Sequence, residues 1–260
     1  MSTILPRTLR SLTRPATKLL IPRPIQRQAR SVQIASATAQ DHHASTNSTR
    51  VEEVPPFRPQ PPPSQPPQHQ VEAYISRLPL VQSLRRDPIY KESRPHLSMD
   101  PSLRPAHFVA GSLAGTDKIT VPPYMFTSTE KLESDKRAGR VISVFHIGNQ
   151  MCGHPGFVHG GLLSVMFDEA FARCVSASFP SGLGMTANLN VDFRKPAVPD
   201  RVYVLRAETV TVEGRKAWVE GSLSSLPAAG EQGDPVMVAE AKALFIEPKF
   251  AETMVPLYRD

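Results

Sequence analysis

The sequence predicts an α+β fold, a curved antiparallel sheet wrapped around one long central helix. Three observations predict it. Residues 159–178 are apolar almost all round and long enough for a helix. One strand-like stretch precedes them and four follow, each bounded by turn residues. A lone apolar helix beside such a meander buries itself most economically if the sheet curls around it.

Each element has its own signal. GRVISVFHI (139–147) is rich in β-branched and aromatic residues, as a strand requires. Val141, Phe145 and Ile147 share one face, with Ile142 and Val144 on the other, so both faces are expected to be buried. In the helix, Leu162, Leu163, Val165, Met166, Phe167, Ala170, Phe171, Ala172, Cys174, Val175 and Ala177 leave little polar surface. The exceptions are Ser164, Asp168, Glu169 and Arg173. From Met185 to Phe193, apolar residues alternate with Thr186, Asn188, Asn190 and Asp192, the period of a half-buried strand. Pro196 and Pro199 end it. Residues 202–212 and 216–226 form a hairpin around Gly214, with Trp218 expected in the core. Asp234-Pro235 breaks the chain, and 236–248 is the last strand, closed by Pro248.

The N-terminal part is different. Twelve of the 27 prolines fall within the first 70 residues of the 260. Residues 1–40 carry Arg7, Arg10, Arg14, Lys18, Arg23, Arg27 and Arg30, with no acid. The rest holds 23 basic and 24 acidic residues, so the net charge of +6 belongs to the leader. It gives no reason to expect a nucleic-acid partner for the folded part. An Arg-, Ser- and Thr-rich, acid-free leader reads as a mitochondrial targeting presequence, with processing near Arg30 and the matrix as destination. Residues 41–70 read as a proline-rich, disordered linker. Residues 71–119 form an arm of short helices broken by prolines, turning irregular over 101–128. Cys152 and Cys174 make no disulfide framework and no metal motif, which fits a reducing compartment. No stretch reaches the roughly 20 apolar residues of a transmembrane segment.

The chemistry concentrates in HGGLLSVMFDE (159–169). Gly161 and Asp168 are seven residues apart, so Gly161, Ser164 and Asp168 line one stripe of the helix. The helix start supplies free N–H groups and a positive dipole end, and glycines there admit another atom close to the backbone. A carbonyl oxygen gaining negative charge suits Gly160 and Gly161. Asp168 lies about 10 Å further along the axis, too far to act on that carbonyl within one chain. The spacing therefore points to a dimer with shared sites.

The stretch HGGLLSVMFDEAFA resembles the helix motif of hotdog-fold acyl-CoA thioesterases, and GMTANLNVDFRKPA resembles the strand that follows it. GHPGFVHGG looks like the mitochondrial-type members. The resemblance covers about residues 120–248, assigning 120–250 to a hotdog domain and 251–260 to a C-terminal tail. It implies hydrolysis of an acyl-CoA substrate by a homodimer or homotetramer, without cofactor or metal. Gly160 or Gly161 would polarise the thioester carbonyl. His159 would shape that turn or cap the helix. Asp168 of the partner subunit would be general base or nucleophile. Thr186 falls where one branch has a Ser or Thr that positions water, and Glu169 ranks second among the acids. Arg194 and Lys195 are candidates for the CoA phosphates, or solvated strand-end charges.

One departure stands out. Many relatives carry an Asn a few residues before His-Gly-Gly. Here that region holds Cys152, Gly153 and His154, and the nearest Asn is Asn149. His154 or a backbone group is left to bind substrate there. His154 also lies 14 residues before Asp168, a spacing similar to that of hotdog dehydratases. A non-catalytic acyl-CoA-binding hotdog protein is the third reading.

Overall fold

The computed structural model describes residues 68–131 and 137–254. The expected presequence, nearly all of the linker and the end of the C-terminal tail lie outside the described residues. The described elements begin with α1 (Gln68–Arg77), α2 (Pro79–Arg86), β1 (Lys91–Ser93), α3 (Pro95–Ser98) and β2 (Tyr124–Lys131). They continue with β3 (Arg137–Ile147), β4 (Cys152–His154), β5 (Phe157–Val158), α4 (Gly160–Val175), β6 (Met185–Phe193), β7 (Arg201–Glu213), β8 (Lys216–Ser225) and β9 (Val236–Ile246).

Among the described residues, seven strands form one antiparallel sheet, ordered β1-β2-β3-β7-β8-β9-β6. The sheet wraps α4, so the hotdog fold is present. Its first two strands were not foreseen. Residues 101–128, read as irregular, contain a π turn (Phe108–Ser112) and the start of β2. YMFTSTEK lacks a clean alternation, and its first three residues are all buried because both of its faces are covered there.

The strand β3 explains that double covering. Val141, Phe145 and Ile147 point into the core shared with α4. Ile142 and Val144 point the other way, into a second core with Val71, Ile75, Val81 and Leu84 of α1 and α2. The arm is therefore a third layer over the N-terminal half of the sheet. Arg94 fastens it: its guanidinium pairs with Glu72 at 2.6 Å and lies 3.7 Å over the Tyr124 ring.

Close packing of α4 depends on small residues beneath it. A Cβ on Gly139 would sit 1.9 Å from the Cys174 carbonyl oxygen, and one on Gly221 would sit 2.7 Å from the Phe171 ring. Ala239, Ala241 and Ala243 continue this flat floor on β9. Phe167 and Phe171 fill the space so created; both are fully buried, each worth about 1.5–3 kcal/mol.

Two expectations need correction. Trp218 is not in the core: it is half-buried on the outer face of the sheet, beside Asn188, Asn190 and Leu244. Nor is the alternation in β6 unbroken. Its register with β9 runs Thr186↔Phe245 and then Asn188↔Leu244, so Ala187 is an extra residue in a β-bulge. Phe245 is a core residue and Leu244 faces outward, so the bulge turns Thr186 toward α4.

Candidate active site

The site begins at the start of α4. His159 is the N-cap, with extended backbone (φ −64°, ψ 125°), and its Nδ1 accepts the Gly161 N–H at 2.8 Å. The carbonyl of His159 accepts from Leu162 at 2.9 Å. That leaves the Gly160 N–H without a partner among the described residues. The two glycines therefore differ: Gly161 serves the cap, and Gly160 offers a donor at the positive end of the helix dipole.

Their surroundings explain why glycine is needed. A Cβ at Gly161 would lie 2.9 Å from the His159 ring, and one at Gly160 would lie 3.2 Å from the Phe193 ring. Gly153 of β4 is similar: its Cβ would come within 2.7 Å of His159 Cδ2. The chain thus packs β4, the imidazole and the helix start together. The His159 N–H also donates to the Met151 carbonyl at 2.9 Å, bringing the 3-10 turn Asn149–Met151 to the helix mouth. The intervening residues loop out as β4 and β5, so Met151 meets the helix start despite its distance in sequence.

Further along α4, Asp168 accepts a hydrogen bond from the Thr186 hydroxyl at 2.5 Å. The bulge at Ala187 makes this contact possible. Eight residues separate Gly160 from Asp168, about 12 Å along the axis, so one chain does not bring both to a single carbonyl. Ser164 lies between them, but its hydroxyl donates back to the Gly160 carbonyl at 3.2 Å. Ser164, Val165, Asp168 and Ala172 remain partly exposed along α4. Small side chains on this stripe leave room for another surface. Beside it, β6 pairs on one edge alone among the described residues, and its Met185 and Phe193 are 47% and 54% exposed.

The remaining candidates lie elsewhere. Arg194 pairs with Glu240 at 2.8 Å and with Asp192 at 3.5 Å. These line a charged groove of about 610 Å³ on the sheet face opposite α4. Lys195 is exposed, and its backbone N–H bonds Val238. His154 is exposed on the β4–β5 hairpin, and its imidazole makes no hydrogen bond with a described residue. Glu169 does not join Asp168; it meets His96 and His107 of the arm. Burial pushes the Cys174 thiol up to about 12, which makes it an inert core residue.

Residues 155–226, which carry β5, α4, β6, β7 and β8, match the thioesterase superfamily model. An uncharacterized protein of Schizosaccharomyces pombe is 31% identical over 177 residues, covering 68% of this chain and 93% of that protein. This chain belongs to the thioesterase superfamily. Another superfamily relative, acyl-coenzyme A thioesterase THEM4 of Rattus norvegicus, is 28% identical over 172 residues, 64% of this chain and 70% of its own length. A Candida albicans relative named "Uncharacterized protein, mitochondrial" is 32% identical over 140 residues, and the chain spans 59% of its length. Among the described residues, no helix is long and apolar enough to cross a membrane.

The residues that sequence reasoning missed are Phe193, Gly153, His96 and His107. Phe193 follows from the alternation of β6 once Gly160 is known to lie beside that strand's end. No spacing signal marks Gly153 of β4, or His96 and His107, which meet α4 at Glu169 rather than at Asp168.

Proposed function

We propose that the protein hydrolyses an acyl-CoA thioester to a free acid and CoA. The observation that carries this reading is the Thr186–Asp168 hydrogen bond on the open stripe of α4, about two turns from the unpartnered Gly160 N–H. One chain holds a donor for a carbonyl, and a second copy supplies the carboxylate. The Gly160 N–H stabilises the oxygen as it gains negative charge. Asp168 takes a proton from water as the new carbon–oxygen bond forms. The carbon–sulfur bond then breaks, the sulfur takes its electron pair and the proton held by Asp168, and CoA leaves as the thiol with the carboxylate restored. Thr186 holds the carboxylate in the orientation that receives the proton.

The half-exposed stripe of α4 and the open edge of β6 support assembly of two chains across this face. The acid-free leader and the mitochondrial relative support a matrix location, which import of the full chain into isolated mitochondria tests.

A complementation experiment tests hydrolysis and the shared site together. Gly160→Pro removes the N–H at the first helical position, where proline is compatible with a helix and the exposed Phe193 ring need give only a few tenths of an ångström. Asp168→Asn removes the base. Each variant alone should release almost no thiol from acyl-CoAs of any chain length. Co-folded in equal amounts, they should recover about one quarter of the wild-type rate, because half the dimers are hybrids with one intact site of two. No recovery in verified hybrids means both groups act within one chain. No thiol release from wild type, with retained CoA binding, leaves a binding protein. Hydration of an enoyl-CoA lost in His154→Ala points instead to a dehydratase.

A further inference from the structure

One cluster of titratable side chains joins the arm to α4 outside the site just described. Glu169 follows Asp168, about 100° further round the helix. Its Oε2 lies 3.1 Å from His96 Nε2, and its Oε1 lies 3.7 Å from His107 Nε2. His96 comes from α3, and His107 caps the π turn Phe108–Ser112. The two rings are 5.7 Å apart. The side chains of His96, His107 and Glu169 are 4%, 15% and 20% exposed, so water does little for them.

The ring nitrogens have defined tasks. His107 Nδ1 accepts the Ala110 N–H at 3.1 Å, so the proton of the neutral ring is on Nε2, the atom facing Glu169. His96 presents Nε2 to the other oxygen. His96 Nε2 is within hydrogen-bond distance of one carboxylate oxygen, and His107 Nε2 faces the other at 3.7 Å, beyond a direct hydrogen bond. A withdrawn carboxylate is costly unless its lone pairs are used, and here His96 serves one of its oxygens.

The location gives the cluster its meaning. Asp168 ties one flank of the open α4 stripe to β6 through Thr186. Glu169 ties the other flank to the arm. Val165, Asp168 and Ala172, partly exposed, lie between the flank tied to β6 and the flank tied to residues 95–112. Val109 of the arm is anchored in the main core, while neighbouring Phe108 is 57% exposed.

We propose that Glu169 is a positioning residue: its clasp on His96 and His107 holds residues 95–112 in place beside the open stripe of α4, so that acyl-CoA is captured there. The role in capture rests on the thioesterase reading; the holding of the arm does not.

Hydrogen exchange of the 95–112 amides and steady-state thiol release are measured on the full chain. In Glu169→Ala and His96→Ala, exchange should speed up about tenfold, the worth of one charge-assisted hydrogen bond. KM should rise about tenfold while kcat stays within about twofold, the signature of lost binding rather than lost chemistry. His96→Gln keeps an N–H donor near the Nε2 position and should restore most of both. If the alanine variants fold poorly, His107→Asn keeps an acceptor for Ala110 while withdrawing from Glu169, and the same changes are expected, smaller in size. Unchanged exchange in folded alanine variants overturns the clasp, whatever the activity. A collapse of kcat to the level of Asp168→Asn, with exchange unchanged, overturns it in favour of a chemical role for Glu169. A wild-type chain that hydrolyses no thioester defeats the thioesterase reading alone, and the exchange data still decide the clasp.

Discussion

The Thr186 hydroxyl donates to Asp168 Oδ1 at 2.5 Å because a single extra residue, Ala187, turns the strand over. Without the bulge, Thr186 would point outward with Asn188 and Asn190. In the proposed reaction the bond fixes the carboxylate before water arrives. Thr186→Val keeps the shape and loses the donor, so kcat should fall about tenfold or more. Thr186→Ser should retain most of the rate. Deleting Ala187 joins Thr186 to Asn188 with their partners Phe245 and Leu244 already adjacent, so Thr186 stays on the inward face and most of the rate should survive, unlike in Thr186→Val, with the fold checked by circular dichroism.

The cap at the start of α4 makes its own prediction. His159 Nδ1 meets the Gly161 N–H, so His159→Ala leaves a helix-end donor unmet and should lower stability by about 1 kcal/mol. His159→Asn offers a short acceptor at the same position and should recover most of the loss. Denaturant unfolding measures both.

Gly139 tests the packing of α4 on the sheet. A methyl group there meets the Cys174 carbonyl oxygen, a backbone atom that cannot rotate away. Gly139→Ala should cost about 3 kcal/mol or more, at the upper end for an overpacked core. A loss below about 1 kcal/mol in urea unfolding would mean that the end of α4 is free to lift.

The response to pH has a defined sign at His146. This ring is buried on the outer side of β3, with Nδ1 2.8 Å from the Thr120 hydroxyl. Burial, the largest influence, holds it below the usual histidine range; Arg201 acts the same way and Asp200 opposes. The unfolded chain therefore binds a proton at higher pH than the folded one. The stability His146 contributes is complete above the usual histidine range and is lost as the pH falls through that range toward the lower folded value. Melting temperature should drop more steeply between about pH 8 and pH 5.5 in the wild type than in His146→Asn. Equal slopes would mean that the proton uptake lies elsewhere.

How far the molecule could be read from its sequence follows from which signals are local. The helix 159–178 and the strands from Met185 onward were visible because each buries a periodic set of side chains against α4. The distance along one helix from Gly160 to Asp168 was visible too, since helix geometry fixes it. The strand at 124–131 was not, because covering on both faces erases alternation. The inward turn of Thr186 was not, because a bulge is a property of two strands in register rather than of one. The choice between Gly160 and Gly161 waited on which N–H the His159 ring takes. His96 and His107 reach Glu169 across 73 and 62 residues of chain, and nothing periodic marks such a meeting.

The placement of β3 has a consequence for how the chain folds. Its odd-numbered side chains complete one core and its even-numbered side chains complete the other, so neither core has this wall without the other. The arm is then not an appendage that can melt by itself: loss of α1 and α2 exposes Ile142 and Val144 on the same strand that carries Phe145. Heat or denaturant should find one cooperative transition for residues 68–254 rather than two, and shortening the chain from its N-terminal side past Val71 should weaken the grip on α4 from behind.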